Sequence, residues 1–174
     1  MSTTTLALGA RAPAFSLQTV GGNTIRLSNF LGRRVVLYFY PKDDTPGCTK
    51  EACSFQAHHA QLAARQAIVL GISCDDVASH QRFADKFNLT FPLLLSDPDA
   101  MVSKAYGAYK QKSMYGRTYW GIERTTFIID EHGRIAAIFP KVKVDGHTQE
   151  VLDALKTSRS TRAALPPRAV RAKR

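Results

Sequence analysis

The sequence predicts an α/β protein with a mixed central sheet, helices on the faces of that sheet and a β-hairpin near the N-terminus. Short apolar runs rich in β-branched and aromatic residues alternate with helical patterns, which is typical of parallel strands joined by crossover helices. Two turn signals between strand-like segments add antiparallel pairs. The chain has 174 residues, 44% of them hydrophobic and 22% charged, so it is long enough to bury a core as one domain.

The predicted strands begin with two short segments on either side of Gly21 and Gly22, which together form the N-terminal hairpin. Five buried strands follow, and the turn from Asp130 to Gly133 joins the last two as a second hairpin. Their ranges are 35–40, 68–73, 91–96, 125–130 and 134–139. The proline of the third stands near the start of its run, where a missing N–H does least harm.

The predicted helices alternate with these strands. Their ranges are about 49–65, 77–88, 99–106 and 146–156. The second range places Val77, Phe83 and Phe87 toward one side, and the last has an apolar face of its own. This order of elements is typical of thioredoxin-like folds.

The C-terminal residues 157–174 differ in composition from residues 1–156, which we predict to form the folded domain. They carry six basic residues, no acidic residue and the pair Pro166-Pro167, and they have no clear apolar period. We therefore predict a flexible basic tail. The full chain has a net charge of +10, and without the tail's charges 18 basic residues remain against 14 acidic ones, a net of +4.

The tail suggests an alternative function, the binding of nucleic acid or of another acidic surface. Six positive charges are enough for salt-sensitive binding without sequence preference. No aromatic residue lies among them to stack on bases, so nucleic acid is not the favoured partner.

The N-terminal segment, "MSTTTLALGARAPAF", lacks the basic and apolar regions of a signal peptide, and no run reaches the ~18 apolar residues of a membrane span. Three cysteines in total do not suit a fully paired disulfide scaffold. We expect a cytoplasmic protein that does not insert into a membrane, in which cysteine chemistry is catalytic or redox.

The segment "VVLYFYPKDDTPGCTKEAC" leads from a predicted strand through a loop into a helix. Thr45 and Pro46 are a favoured N-cap and first-turn pair, which puts Cys48 in the first turn of the helix. Unpaired backbone N–H groups and the positive end of the helix dipole favour an anion there. We therefore predict that Cys48 is a nucleophile that reacts as the thiolate.

Cys53 lies five residues further along the same predicted helix. In a regular helix the Cα atoms of residues 48 and 53 would be ~8.7 Å apart and on different faces. A disulfide requires Cα atoms within ~7 Å, so the two cysteines can bond only if the first helical turns unwind. A structural disulfide is thereby disfavoured, whereas a buried, unreactive Cys53 remains an alternative.

The spacing of Pro41, Thr45 and Cys48 resembles the active-site motif of the peroxiredoxins, Pro-x3-Thr/Ser-x2-Cys. The stretch "CTKEAC" is similar to the peroxiredoxin Q type, also called bacterioferritin comigratory protein. The resemblance runs from "LGARAPAFSL" through "FPLLLSD" and "YWGIERTTFIID" to about residue 156, and it leaves out the basic tail.

The resemblance implies a thiol peroxidase that reduces hydrogen peroxide and alkyl hydroperoxides. Cys48 would be the peroxidatic cysteine and would become a sulfenic acid. Thr45 would hydrogen-bond the thiolate and the peroxide, and Pro41 would shield the pocket from water. Arg124 would stabilise the thiolate and the leaving oxygen, and the amide of Gly47, with that of Cys48, would donate to the bound peroxide.

The resemblance also implies that Cys53 condenses with the sulfenic acid to form a Cys48–Cys53 disulfide, which thioredoxin or a similar dithiol reduces. It implies no cofactor and no metal, and a monomer or a weak dimer. A disulfide oxidoreductase is a competing redox function, but the Cys-x-x-Cys motif typical of that class is absent.

Other candidates are interpreted as structural. Cys74 follows a strand and is expected to have no redox role. His58 and His59 lie in the predicted helix at offsets that do not suit a joint metal site with the two cysteines. The two glycines of "MYGRTYWG" predict a loop that contains Trp120.

Overall fold

Residues 6–157 are described by a computed structural model, in which seven strands form one mixed sheet and two more form a separate hairpin. The strands are β1 (Ser16–Thr19), β2 (Thr24–Arg26), β3 (Arg34–Phe39), β4 (Ala67–Ser73), β5 (Leu93–Ser96), β6 (Tyr109–Met114), β7 (Arg117–Ile122), β8 (Thr125–Ile129) and β9 (Ile135–Phe139). The helices are a short 3₁₀ turn (Leu27–Phe30), α1 (Pro46–Ala57), α2 (His59–Ala64), α3 (Val77–Phe87), α4 (Met101–Ala105) and α5 (His147–Thr157).

The seven-stranded sheet has the order β2-β1-β5-β4-β3-β8-β9. Strands β3, β4 and β5 run parallel to one another, as the alternation with helices predicts. Strands β8 and β9 form the predicted antiparallel hairpin, and the N-terminal hairpin joins the sheet through β1 and β5. The predicted mixed central sheet is therefore confirmed.

Strand β3 runs through the interior, and all six of its residues are buried. On one face of the sheet a core packs beneath α1, α3 and α5, with Phe55, Phe83 and Val151 as examples. Helix α1 presents four residues at helical spacing to that core: Cys48, Glu51, Ala52 and Phe55. Because a short loop joins the end of β3 to the start of α1, the buried strand helps to fix the position of the cysteine segment.

One predicted helix, 49–65, is two helices in the structure. Helix α1 begins earlier, at Pro46, and ends at Ala57, and α2 begins at His59. Between them His58 has φ −100° and ψ 15°, and its ring Nδ1 lies 2.7 Å from the carbonyl oxygen of Ser54. The imidazole thus competes for a helix carbonyl, which favours an interruption at this residue.

The predicted loop at "MYGRTYWG" is wrong, because these residues belong to the hairpin of β6 and β7. Tyr115 and Gly116 at its tip both have positive φ, 51° and 75°, as a tight two-residue turn requires. Few residues of these strands are buried, so the apolar alternation that reveals most strands is missing.

The predicted basic tail lies outside the described residues. The proposed binding of nucleic acid or another acidic surface by the tail is therefore not tested by the structure. The boundary at residue 156 therefore stays a prediction. None of the helices within residues 6–157 has the length and apolar content needed to cross a membrane.

Candidate active site

Cys48 and Cys53 both lie in the intact helix α1, and both are free thiols. Cys48 is in the first turn and is only 2% exposed, whereas Cys53 is half-buried. The expectation that an intact helix holds two unbonded thiols is confirmed, since regular helical geometry keeps their Cα atoms too far apart for a disulfide.

Thr45 occupies the N-cap position of α1 in an extended conformation, and Pro46 follows it as the first helical residue. The predicted side-chain cap is wrong, because the Thr45 hydroxyl makes no cap hydrogen bond. Instead it donates to the carbonyl oxygen of Lys42 at 2.8 Å. The hydroxyl proton is thus engaged within the loop in this arrangement.

Arg124, between β7 and β8, reaches across to the start of α1. Its Nη2 lies 3.4 Å from Sγ of Cys48, and its Nη1 donates to Oε1 of Glu51 at 2.7 Å. Burial opposes the charged guanidinium, but the charges of Glu51 and Cys48 outweigh burial and raise the pKa of Arg124 above its ordinary value. A permanent positive charge therefore lies against the buried sulfur.

Gly47 gives the guanidinium the room that it needs. A Cβ at this position would lie 3.1 Å from Nη2 of Arg124, closer than nearly all real contacts of this kind. A larger residue would push the guanidinium away from Cys48. Gly47 thus has a steric part in the site, in addition to the amide that the sequence singles out.

Glu51 is the residue of this site that sequence reasoning missed. Its carboxyl group is 2% exposed, and burial raises its pKa to about 7, although the positive charge of Arg124 works in the opposite direction. Burial and the adjacent guanidinium thus act in opposite directions on the charge of this carboxyl group. A signal was available, because Glu51 lies three residues after Cys48 on the apolar stripe of the helix, where an acidic residue without a function is rare.

Pro41 follows directly after the buried Tyr40 and is exposed. Its place at the start of the loop agrees with the motif, whereas the predicted shielding of the pocket stays a prediction.

Cys53 borders an open groove of about 480 Å³ between the start of α1 and the end of α3. The groove is lined by Asp44, Thr45, Pro46, Thr49, Lys50, Cys53 and Phe87. Burial raises the pKa of the Cys53 thiol, so this sulfur is mainly protonated at neutral pH. The two cysteines thus differ: one is buried against a cation, and the other lies at an accessible groove.

Cys74, just beyond the end of β4, is half-buried and free. Burial, and after it the charges of Asp97 and Asp75, raise the pKa of its thiol. Such a thiol is a poor nucleophile. This environment agrees with the structural interpretation of Cys74.

Comparison with known proteins identifies the chemistry of this arrangement. The family model described as AhpC/TSA family matches residues 8–138. This chain belongs to the AhpC/TSA family.

Similar proteins indicate which type of peroxiredoxin this chain resembles. A Coxiella burnetii relative that carries the Bcp peroxiredoxin name is 53% identical over 148 residues, which are 85% of this chain and 97% of the relative. The peroxiredoxin Bcp of Bacillus subtilis is 44% identical over 152 residues, 87% of this chain and 96% of the relative. The predicted resemblance to the peroxiredoxin Q type is confirmed.

Solved structures agree in fold. The bacterioferritin comigratory protein of Xanthomonas campestris matches with a TM-score of 0.81 at 40% identity, over 88% of this chain and 97% of that protein. A PrxQ cysteine mutant of Xylella fastidiosa matches with a TM-score of 0.84 at 39% identity, over 90% of this chain and 99% of that protein. The thioredoxin-like fold is thereby confirmed, and the AhpC/TSA chain is a thiol peroxidase of the peroxiredoxin class.

Proposed function

We propose that Cys48 is the peroxidatic cysteine of this thiol peroxidase. The observation that carries this assignment is the 3.4 Å contact between Nη2 of Arg124 and Sγ of Cys48, made inside the first turn of a helix. A guanidinium charge and a helix N-terminus both favour the thiolate over the thiol. The pKa values of the Cys53 and Cys74 thiols are by contrast raised, in both cases chiefly by burial.

In the proposed reaction the Cys48 thiolate attacks the terminal oxygen of the peroxide. The S–O bond forms as the O–O bond breaks, and the leaving oxygen takes a proton to depart as water or an alcohol. Arg124 would stabilise the charge that moves onto the leaving oxygen. The amides of Gly47 and Cys48 would donate to the bound peroxide, and Pro41 would limit the access of water.

Thr45 would assist the attack on the peroxide after its hydroxyl group rotates. Its proton is donated to Lys42 in this structure, so donation to the thiolate or peroxide requires the hydroxyl to rotate away from that carbonyl. Its oxygen remains free to accept a hydrogen bond from the peroxide O–H without any rotation. We propose that Thr45 positions the peroxide in this way.

Cys53 would then resolve the sulfenic acid. Its sulfur attacks Sγ of Cys48, the S–O bond breaks, and the hydroxyl leaves as water with the proton of the Cys53 thiol. The ~8.7 Å Cα separation of an intact helix exceeds the ~7 Å limit, so the first turns of α1 must unwind for this step. The product is an intramolecular Cys48–Cys53 disulfide.

The reductant would attack Cys53 rather than Cys48. In the intact helix Cys53 borders the open groove, whereas Cys48 is buried beside Arg124. A thiolate of thioredoxin or a similar dithiol would form a mixed disulfide with Cys53, and Cys48 would leave as a thiolate that Arg124 stabilises again once α1 has rewound. The second thiol of the reductant then releases Cys53, which completes the cycle.

Hydrogen peroxide and alkyl hydroperoxides are the proposed substrates. The structures of the Xanthomonas campestris relative concern its alkyl peroxide reduction activity, and that relative supports the alkyl substrates here. We further propose a cytoplasmic monomer or weak dimer, in keeping with a reaction cycle that needs only cysteines of one chain.

A coupled assay tests the recycling step. We expect NADPH oxidation to follow peroxide addition when the protein is supplied with thioredoxin and thioredoxin reductase, with hydrogen peroxide or an alkyl hydroperoxide as substrate. Omitting the protein is the control for direct reaction. Consumption of one equivalent of peroxide without sustained NADPH oxidation would contradict thioredoxin as the reductant while leaving the peroxidase assignment intact.

A further inference from the structure

A buried polar network fastens the loop before α1 to helix α3. The carboxylate of Asp43, in this loop, accepts from the hydroxyl of Tyr40 at 2.6 Å and from the hydroxyl of Ser79 at 2.8 Å. Its Oδ2 also lies 2.6 Å from Nδ1 of His80, which is fully buried. Ser79 and His80, which are 36 and 37 positions away along the chain, thus hold Asp43 in place.

His80 contributes to this network with both ring nitrogens. Nδ1 faces the Asp43 carboxylate, and Nε2 lies 3.0 Å from the carbonyl oxygen of Leu95 in β5. Both partners are acceptors, so the ring satisfies both only when each nitrogen carries a proton. Burial opposes the Asp43 carboxylate, but the hydrogen bonds of His80, Tyr40 and Ser79 and the charge of His80 outweigh burial and lower the pKa of Asp43. The geometry is that of a buried ion pair.

The backbone of Asp43 is held as well. Its N–H donates to Oδ2 of Asp75 at 2.8 Å, and that same oxygen accepts from the hydroxyl of Ser73 at the end of β4. Asp43 is thereby attached to two elements of the fold through both its backbone and its side chain. Asp44, the next residue, is exposed and has the left-handed φ of 55°.

A metal site is the competing interpretation of this cluster. Asp43, Asp75 and His80 lie close enough together to share an ion. However, both oxygens of Asp43 and the Oδ2 of Asp75 already accept hydrogen bonds from protein donors, and Nε2 of His80 faces a carbonyl. The cluster is satisfied by its own residues and does not call for a cation.

The residues just after Asp43 have contacts of a different kind. Asp44 pairs with Lys86 of α3 at the exposed surface, where Nζ of Lys86 lies 2.9 Å from Oδ2 of Asp44. Thr45 bonds to Lys42 within the same loop, and Lys50 pairs with Asp145 on the exposed surface. Cys48 is buried and contacts Arg124 through its sulfur, the atom that peroxide would oxidise. Asp43 is therefore the last residue before α1 whose side chain the buried network holds, and it lies a few residues upstream of the turns that must unwind for a Cys48–Cys53 bond.

We propose that His80 and Asp43 are positioning residues that hold the cysteine loop in its peroxide-reactive arrangement and thereby restrain the unwinding that forms the disulfide. This inference rests on the proposed pairing of Cys48 with Cys53. We call the bond between Asp43 and His80 the anchor. Its loss should have opposite effects on the oxidation of Cys48 and on disulfide formation. Oxidation of Cys48 by peroxide should slow, because Thr45 and Cys48 are less well placed, and disulfide formation should accelerate, because α1 opens more readily.

Two amide substitutions of His80 separate the anchor from simple packing. The amide nitrogen of asparagine lies as many bonds from the backbone as Nδ1, and that of glutamine as many as Nε2. His80→Gln should therefore lose the bond to Asp43 and keep the one to Leu95, whereas His80→Asn should keep the bond to Asp43. The test measures both rates in a single turnover with hydrogen peroxide, by acid quenching, thiol alkylation and mass spectrometry of the full chain.

For His80→Gln we expect peroxide oxidation to slow and disulfide formation to accelerate, each by about threefold or more, the effect of losing one charge-assisted hydrogen bond. His80→Asn should stay close to wild type. The inference would be overturned if both rates fell in His80→Gln or if neither rate changed. It would also be overturned if His80→Gln and His80→Asn had equal effects. If His80→Gln does not fold, Tyr40→Phe and Ser79→Ala remove the other donors to Asp43 and should give the same opposed changes.

The wild-type reaction keeps the two proposals distinguishable. If wild type forms no Cys48–Cys53 disulfide, the proposed resolution by Cys53 fails and the inference fails with it. If the disulfide forms but its rate is indifferent to the His80 substitutions, only the anchor is overturned.

Discussion

Replacing Cys48 with serine should abolish peroxide turnover, with a loss of at least about 10³-fold in rate. A serine hydroxyl remains protonated near neutral pH, and the Arg124 guanidinium at 3.4 Å cannot make it comparable to a thiolate. The measurement is peroxide consumption coupled to thioredoxin and thioredoxin reductase. Arg124 and the start of the helix are unaltered by this change, so the loss reports on the sulfur itself.

Cys74→Ser is the matched control for that experiment. Cys74 is free and half-buried, beyond the end of β4, and has no proposed part in the reaction. It should keep wild-type turnover. Turnover near the wild-type rate in Cys48→Ser would contradict the assignment of the nucleophile.

Replacing Cys53 with serine should separate the first oxidation from the cycle. Cys48 and Arg124 are intact in this variant, so about one equivalent of peroxide should be consumed at nearly the wild-type rate. Without a resolving thiol the sulfenic acid persists, and thioredoxin-dependent cycling should fall to about a tenth of wild type or less. Single-turnover peroxide consumption and NADPH oxidation measure the two parts separately.

Normal cycling in Cys53→Ser would show that another thiol resolves Cys48. Cys74 of the same chain and a cysteine of a second copy would then be the candidates, and the double variant Cys53→Ser with Cys74→Ser would distinguish them. Dependence of the remaining cycling on protein concentration would indicate the second copy.

Local sequence signals were sufficient for much of the fold. Apolar runs predicted the five main strands, because strands buried on both faces need nearly continuous apolar residues. They failed for β6 and β7, which are largely exposed and carry Lys110, Lys112 and Arg117 where apolar residues would have revealed strands. Helix α1 begins at Pro46, as the Thr45-Pro46 pair indicates, three residues before the start of the predicted range 49–65.

The site was predictable only where its residues are neighbours in sequence. Cys48 and Cys53 follow from helix geometry, but Arg124 is 76 residues from Cys48 and was recognised by family resemblance. Glu51 was missed because a pairing with Arg124 over 73 residues has no local signal beyond an acidic residue on an apolar stripe. The bond between Asp43 and His80 likewise depends on the packing of α3 against the loop.

The central claim is that Cys48 and Cys53 of one chain bond after oxidation although the intact helix keeps them apart. Peptide mapping without reduction, after one equivalent of hydrogen peroxide and alkylation of free thiols, tests it most directly, since tryptic cleavage after Lys50 separates the two cysteines. We predict a cross-linked peptide pair that joins Cys48 to Cys53, with Cys74 alkylated. An alkylated Cys53 together with Cys48 linked to Cys74 or to a second copy would contradict the claim.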